Sequence, residues 1–169
     1  NRNNELVVTE VGTKVTEEQF DLFQVYTNHR HGDGEMAKMS RRDYAAMVLS
    51  SPVDTVMVEF REPDGRLIAG CLMDRLAGGL SAVYSFFDPQ EERRSLGSYV
   101  ILWMIEEALR LDLDHVYLGY WVAGSPKMDY KSRFRPLEAF GPDGWTDIED
   151  PSSLVTSRER LSSPLRSKP

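Results

Sequence analysis

TVMVEFREPDGRLIAGCLMDRLAGGLSAVYSFFD, residues 55–88, is the stretch that decides the fold. Residues 55–62 are β-branched and alternate in polarity, the period of a strand. They stop at Pro63-Asp-Gly-Arg66, where proline fixes φ and glycine tolerates the backbone that a turn demands. Leu67–Leu76 is a second apolar run, Gly78-Gly79 a second break, and residues 80–88 a third run. Three such runs joined by two short turns predict an antiparallel meander.

Upstream, Thr16 precedes Glu17-Glu-Gln19, a capping pattern with carboxylates where the helix dipole favours them. Phe20, Leu22, Phe23, Val25 and Tyr26 continue it as an apolar stripe, predicting a helix to about Asn28. The segment His29-Arg-His-Gly-Asp-Gly34 reads as the turn that ends it. Ser40 with Asp43 resembles a cap for a second helix, Arg41–Leu49. The first dozen residues are polar and carry little pattern. Downstream, residues 96–111 are apolar nearly all round, as a helix buried against a sheet must be. A strand is expected at 116–122 and a short helix at 127–133. After Asp150 the chain is rich in Ser, Pro and Arg, so 150–169 reads as an extended tail. Two helices, three antiparallel strands, a buried helix and a further strand make an α+β layered domain.

Composition narrows the function classes. A chain of 169 residues is one domain, long enough to bury a core without cross-links. A single cysteine, Cys71, excludes an internal disulfide or a multi-thiolate metal site; no metal and no cofactor is expected. No run approaches the ~18 apolar residues of a membrane helix. No membrane partner and a cytoplasmic location are therefore the expectations. With 20 Lys+Arg against 27 Asp+Glu, the net charge of −7 opposes a generally basic nucleic-acid coat. A local exception lies at 121–140, where Lys127, Lys131, Arg133 and Arg135 outweigh Asp129 and Glu138 to give +2. These cations alternate with Trp121, Tyr130 and Phe134, and Tyr120 precedes them. Cations suit phosphates and rings suit flat bases, with stacking at ~1–3 kcal/mol per base. A solvated helix whose aromatics cap the core gives the same pattern, and both readings stand at this point.

The order of elements resembles that of GNAT-type acyltransferases, with Arg93-Arg-Ser-Leu-Gly97-Ser98 where those enzymes carry a glycine-containing donor loop. Four strings make the resemblance more specific. Tyr117-Leu-Gly-Tyr-Trp121 and Lys127-Met-Asp-Tyr-Lys-Ser-Arg-Phe-Arg-Pro-Leu-Glu138 look like the C-terminal signature of arginyl-tRNA–protein transferases. Leu80-Ser-Ala-Val-Tyr-Ser-Phe-Phe-Asp-Pro89 and Arg94-Ser-Leu-Gly-Ser-Tyr99 agree with it. The wording is closest to the bacterial aspartate/glutamate leucyltransferase branch, over about residues 7–145. The resemblance implies a GNAT-like fold, a mixed and mostly antiparallel sheet flanked by helices, spanning 1–149. It implies transfer of leucine, or arginine, from aminoacyl-tRNA to the N-terminal amine of proteins beginning with Asp or Glu, marking them for degradation. Leucyl-tRNA is the preferred donor. The family's cysteine-containing N-terminal region has no counterpart before Asn1, so the chain is expected to be the C-terminal catalytic domain alone.

Site residues follow from the reaction's needs. An ammonium must lose a proton, a carbonyl oxygen must be stabilised, and a ribose oxygen must regain a proton. Asp74 and Asp88, ending two neighbouring strand candidates, are the expected acids, with Asp74 preferred because the family shows an acid there. Alternation places Tyr84 on one face with Leu80, Ala82 and Phe86, and Ser85 on the other with Ser81. The family motif makes Tyr84 a catalytic candidate and Ser85 a binding one, and Gly97 joins them in the donor loop. Tyr120 and Trp121 are expected to close the opposite strand as a wall of the site. An acidic acceptor calls for a cation, best an arginine for bidentate pairing. Arg30 and His31 in the glycine-rich turn, and Arg61, are the candidates. Lys127, Tyr130, Lys131, Arg133 and Arg135 are assigned to the tRNA acceptor end. Glu59 reads equally as a solvated-face residue, and Cys71 as a small buried hydrophobe. Two other functions stay open: an acetyl-coenzyme A-dependent N-acetyltransferase, and a non-catalytic module binding tRNA or acidic N-termini.

Overall fold

The computed structural model describes residues 2–32, 34–122, 125–126, 128–142 and 144–149, with only the backbone of His31. The expected tail at 150–169 lies outside these residues. The chain divides into two compact units, Asn1–Gly119 and Tyr120–Pro169.

In the first unit the meander forms as β2 (Asp54–Arg61), β3 (Leu67–Leu76) and β4 (Gly79–Phe87), each antiparallel to the next. Two outer strands complete a sheet of order β1-β2-β3-β4-β5, with β1 at Val7–Glu10 and β5 at His115–Tyr117. β1 pairs antiparallel with β2, and β5 runs parallel to β4. β1 was invisible in the sequence because a four-residue, mostly exposed edge strand has no buried face to impose alternation.

Three helices cover the sheet: α1 (Glu17–His31), α2 (Arg41–Leu49) and α3 (Leu96–Arg110). The caps expected at Thr16 and Ser40 are both present as reciprocal capping boxes. α1 runs further than expected, because nothing before Gly32 interrupts its ladder. Arg30 and His31 therefore belong to its last turn rather than to a free loop.

The sheet has two differently built faces. Val56, Val58, Phe60, Ile68, Cys71, Met73 and Leu80 pack against Leu96, Val100, Met104 and Ala108 of α3. Phe23, Tyr26, Tyr44 and Val48 of α1 and α2 cover Met57, Leu72, Tyr84 and Phe86 on the other face. Each large side chain so buried stabilises the fold by ~1.5–3 kcal/mol. Gly70 is required here, since a Cβ on it would lie 2.5 Å from the Phe86 ring.

β4 carries one residue more than its partner. Leu72 stands opposite Tyr84 and Met73 opposite Ala82, so Val83 bulges from the ladder. The bulge overturns the expected alternation: Leu80 and Ala82 face α3, while Tyr84 and Phe86 face α1 and α2.

The second unit holds a 3-10 turn, Asp129–Arg133, and a hairpin of β6 (Glu138–Gly141) and β7 (Gly144–Asp147). The expected helix at 127–133 is thus one short 3-10 turn. The hairpin is closed by a cross-strand pair, Phe140 and Trp145, with ring centroids 5.2 Å apart. No helix among the described residues is long and apolar enough to cross a membrane.

Candidate active site

β5 pairs with β4 only where His115–Tyr117 meets Gly79, Leu80 and Ser81. Gly79 permits that contact, for a Cβ there would sit 2.3 Å from the His115 carbonyl oxygen. Beyond Ser81 the same edge of β4 has no strand partner among the described residues. Its alternate N–H and C=O groups there lie outside the five-stranded ladder. The strand expected at 116–122 ends at Tyr117, and Tyr120 and Trp121 lie past it in the second unit.

Register arranges the α1/α2 face in rows across the sheet. Thr55, Asp74 and Ser81 form one row, Met57, Leu72 and Tyr84 the next, and Glu59, Gly70 and Phe86 the third. Neighbouring rows are two residues apart, roughly 7 Å. Asp74 and Tyr84 thus stand one row apart on neighbouring strands. The half-buried Asp74 carboxylate accepts a 2.5 Å hydrogen bond from Thr55 Oγ1, which fixes its orientation. Tyr84 is held between the rings of Phe23 and Tyr26, at 5.7 and 6.4 Å. Its hydroxyl is inaccessible and has no hydrogen-bond partner among the described residues. Burial pushes the phenol up to about 12, the Tyr26 phenol adding to the shift and the Arg30 guanidinium opposing it. The group stays protonated at neutral pH, fit to donate a hydrogen bond but not to act as a base. Ser85 lies on the α3 face in the row of Val58 and Cys71.

Asp88 does not join Asp74. Its N–H bonds to the Ile68 carbonyl, at the far end of the β3–β4 ladder from the Asp74–Ser81 pair. The antiparallel hairpin explains this, because successive strand ends point opposite ways. The Asp88 carboxylate is spent on capping: Oδ1 accepts from the Gln90 N–H at 2.9 Å and Oδ2 from Arg66 at 3.0 Å.

The candidate cations divide similarly. Arg61 is committed within the fold, pairing with Glu59 at 2.8 Å and Glu18 at 2.9 Å and donating to the Gly65 carbonyl at 2.7 Å. These internal acceptors occupy its fork, which leaves it poorly placed to read a substrate carboxylate. Arg30 lies with its guanidinium 5.9 Å from the Tyr26 ring centre. With Tyr26, His29, Phe87, Pro89 and Glu92 it lines a pocket of about 100 Å³. In the second unit, Lys131 Nζ donates to the Tyr120 carbonyl at 3.2 Å, and burial holds its pKa below the usual lysine value. Arg135 donates to the Ser132 and Phe134 carbonyls at 2.5 and 2.7 Å, while Arg133 is exposed. Tyr130 is half-buried, the Tyr120 ring is 91% exposed, and the Trp121 indole N–H is inaccessible with no partner among the described residues. Lys127 and the His31 side chain fall outside the described residues. Gly97 is the second residue of α3, two after Ser95, which caps the helix in the left-handed region at φ 52°.

One cluster was missed. Glu59 is only 5% exposed, so it is no solvated-face residue. Its carboxylate accepts from Gln19 Nε2 at 2.7 Å, besides Arg61. The buried Tyr44 hydroxyl has no partner among the described residues, and burial, then the Glu59 charge, drives its pKa far above the usual phenol range. The available signal was parity, since Glu59 shares its face with Met57 between apolar neighbours on an internal strand.

Comparison with known proteins places this geometry. Residues 18–141 match the family model described as arginine-tRNA-protein transferase, C terminus. An aspartate/glutamate leucyltransferase of Paramagnetospirillum magneticum is 54% identical over 143 residues, covering 85% of this chain and 59% of that protein. One of Rhodospirillum rubrum is 53% identical over 141 residues, covering 83% and 57%. The chain thus spans about three-fifths of the length of the curated relatives it matches. Among solved structures, a possible acetyltransferase of Clostridium difficile 630 superposes with a TM-score of 0.55 at 11% identity, covering 76% of this chain and 89% of that one. The ribosomal-protein-S18-alanine N-acetyltransferase of Escherichia coli gives 0.54 at 14%, covering 84% and 88%. The fold is therefore the GNAT acyltransferase fold expected from the sequence.

Proposed function

The chain belongs to the arginine-tRNA-protein transferase family through that family's C-terminal region, and from this premise we propose that it transfers leucine from leucyl-tRNA to the N-terminal amine of proteins beginning with Asp or Glu. The observation that carries the reading is the identity of about half with proteins named for that reaction. The stretch of β4 beyond Ser81 that no described strand covers, and the neighbouring rows of Asp74 and Tyr84, support the reading.

In this reading the acceptor amine attacks the leucyl ester carbonyl. A C–N bond forms, the C–O bond to the tRNA's terminal ribose breaks, and the ribose oxygen takes up a proton. Asp74, oriented by Thr55, holds the incoming ammonium and receives its proton. Tyr84, kept protonated by burial, donates to oxygen as negative charge develops, a role that requires its covered hydroxyl to be uncovered when the donor binds. The bare N–H groups of β4 align the donor, and proximity supplies much of the rate. The donor loop runs through Arg93, Arg94 and Gly97, and Lys131, Arg133 and Arg135 attend the tRNA. The modified proteins are thereby marked for degradation.

The test is transfer of labelled leucine from leucyl-tRNA to peptides beginning with Asp, Glu or Ala, with arginyl-tRNA as the competing donor. It is run on this chain and on the chain joined to the N-terminal portion of the Paramagnetospirillum magneticum relative. Transfer to Asp- and Glu-peptides but not to the Ala-peptide is expected. Failure of both proteins with both donors contradicts the reading.

A further inference from the structure

The loop between β4 and α3 is anchored by residues from outside its own elements. Residues 89–94 form a 3-10 turn, followed by Ser95 in the left-handed region without a side-chain cap on α3. Local bonds from the Gln90, Glu91 and Ser95 N–H groups hold the turn's own shape, while its place against the rest of the fold is set by contacts from outside it. Its anchors come from the start of the chain. Asn3, 3% exposed, donates from Nδ2 to the Arg94 carbonyl at 3.0 Å and accepts at Oδ1 from Arg94 Nε at 2.9 Å. Arg2 Nη1 donates to the Arg93 carbonyl at 2.8 Å, and Arg94 Nη2 returns a bond to the Arg2 carbonyl at 3.3 Å. Glu62, at the β2–β3 turn, pairs with Arg94. Arg66 ties the front of the loop through Asp88 and Glu91, at 3.0 and 2.9 Å.

Asn3 stands at the centre of this arrangement. It takes both the main chain and the side chain of Arg94 in one two-point contact, out of reach of water. Such a contact fixes position as well as adding stability, because removing either partner leaves a buried donor or acceptor unpaired. We propose that Asn3 is a positioning residue for the aminoacyl donor: through Arg94 it sets the place of the loop that opens α3. The proposal rests on the transferase reading, which assigns that loop to the donor. Asn3 touches neither substrate, so its effect falls on donor affinity and not on the chemical step.

The experiment compares Asn3→Ala and Asn3→Asp with the parent chain. Asn3→Ala is expected to raise KM for leucyl-tRNA about tenfold, with kcat and the acceptor-peptide KM each changed less than about twofold. Asn3→Asp, which keeps an acceptor for Arg94 Nε, is expected to recover most of that loss. Amide exchange on the free proteins is the second readout. Asn3→Ala should speed exchange at residues 93–99 while leaving Leu72 and Met73 of β3 protected. Should Asn3→Ala not fold, Asn3→Ser takes its place. Equal rises in both KM values, no rise in either, or exchange accelerated throughout the sheet overturns the proposal. If the parent chain transfers nothing, the kinetic comparison is made on the chain joined to the N-terminal portion of the relative; if that too transfers nothing, the transferase reading has failed, and exchange confined to 93–99 still decides whether Asn3 sets the loop.

Discussion

The two faces of the five-stranded sheet are packed from different chemistry. Towards α3 the buried cluster is aliphatic apart from Phe60, and Cys71 is its single polar side chain. Towards α1 and α2 the buried residues are mainly aromatic and are joined by Gln19, Thr27 and Glu59, with two hydroxyls, Tyr44 and Tyr84, that have no partner among the described residues. The α3 face supplies the stability that lets the opposite face carry polar groups in fixed positions.

Substitutions can break that division or sharpen it. The largest stability effect is expected on the α3 face. Met104, fully buried, loses packing in Met104→Ala at a cost of ~2–5 kcal/mol. Urea denaturation measures it, and the kinetic constants of the folded fraction should not move. Next is Glu59→Ala, which strands Gln19 and Arg61 and should cost ~2–3 kcal/mol. Glu59→Gln, which keeps one acceptor oxygen, should cost less. Tyr84→Phe separates the two roles of its face. It removes an unpaired hydroxyl, so stability should hold or rise by up to ~1 kcal/mol, whereas leucine transfer should fall at least about tenfold. A loss of both together would make Tyr84 a packing residue only.

The smallest effect concerns Cys71. Burial raises its thiol from the ordinary 9.0 to about 12. The folded thiol therefore holds its proton where the unfolded one begins to lose it. Its contribution to stability should be flat below pH 9 and decline as pH rises from there towards 12. A thiol reagent at pH 8 should label it only in denaturant.

The same contrast explains what could be read from the sequence. β3 was legible to the residue and the start of α2 likewise, because strong turns bracket the one and a capping box opens the other. β1 was not, since an exposed edge strand has no buried face to write a pattern. The side of the sheet to which Tyr84 points was misread for one reason, the bulge at Val83: parity counts residues and cannot register one that leaves the ladder. Asp74 and Tyr84 were proposed from the family resemblance, and their adjacency is a product of strand register. Asp88 and Arg61 looked identical in type to site residues, and only their partners, Arg66 and the Glu18–Glu59 pair, show them committed to the fold.

The most direct measurement is a structure of the chain with 3′-leucylamido-3′-deoxyadenosine, a stable amide in place of the ester. The expected position of the leucyl group is along the edge of β4 at residues 82–87, with its carbonyl near Tyr84 and its amide side towards Asp74. An analogue bound elsewhere, or one excluded while coenzyme A binds along β4, would contradict the assignment of that edge to an aminoacyl donor.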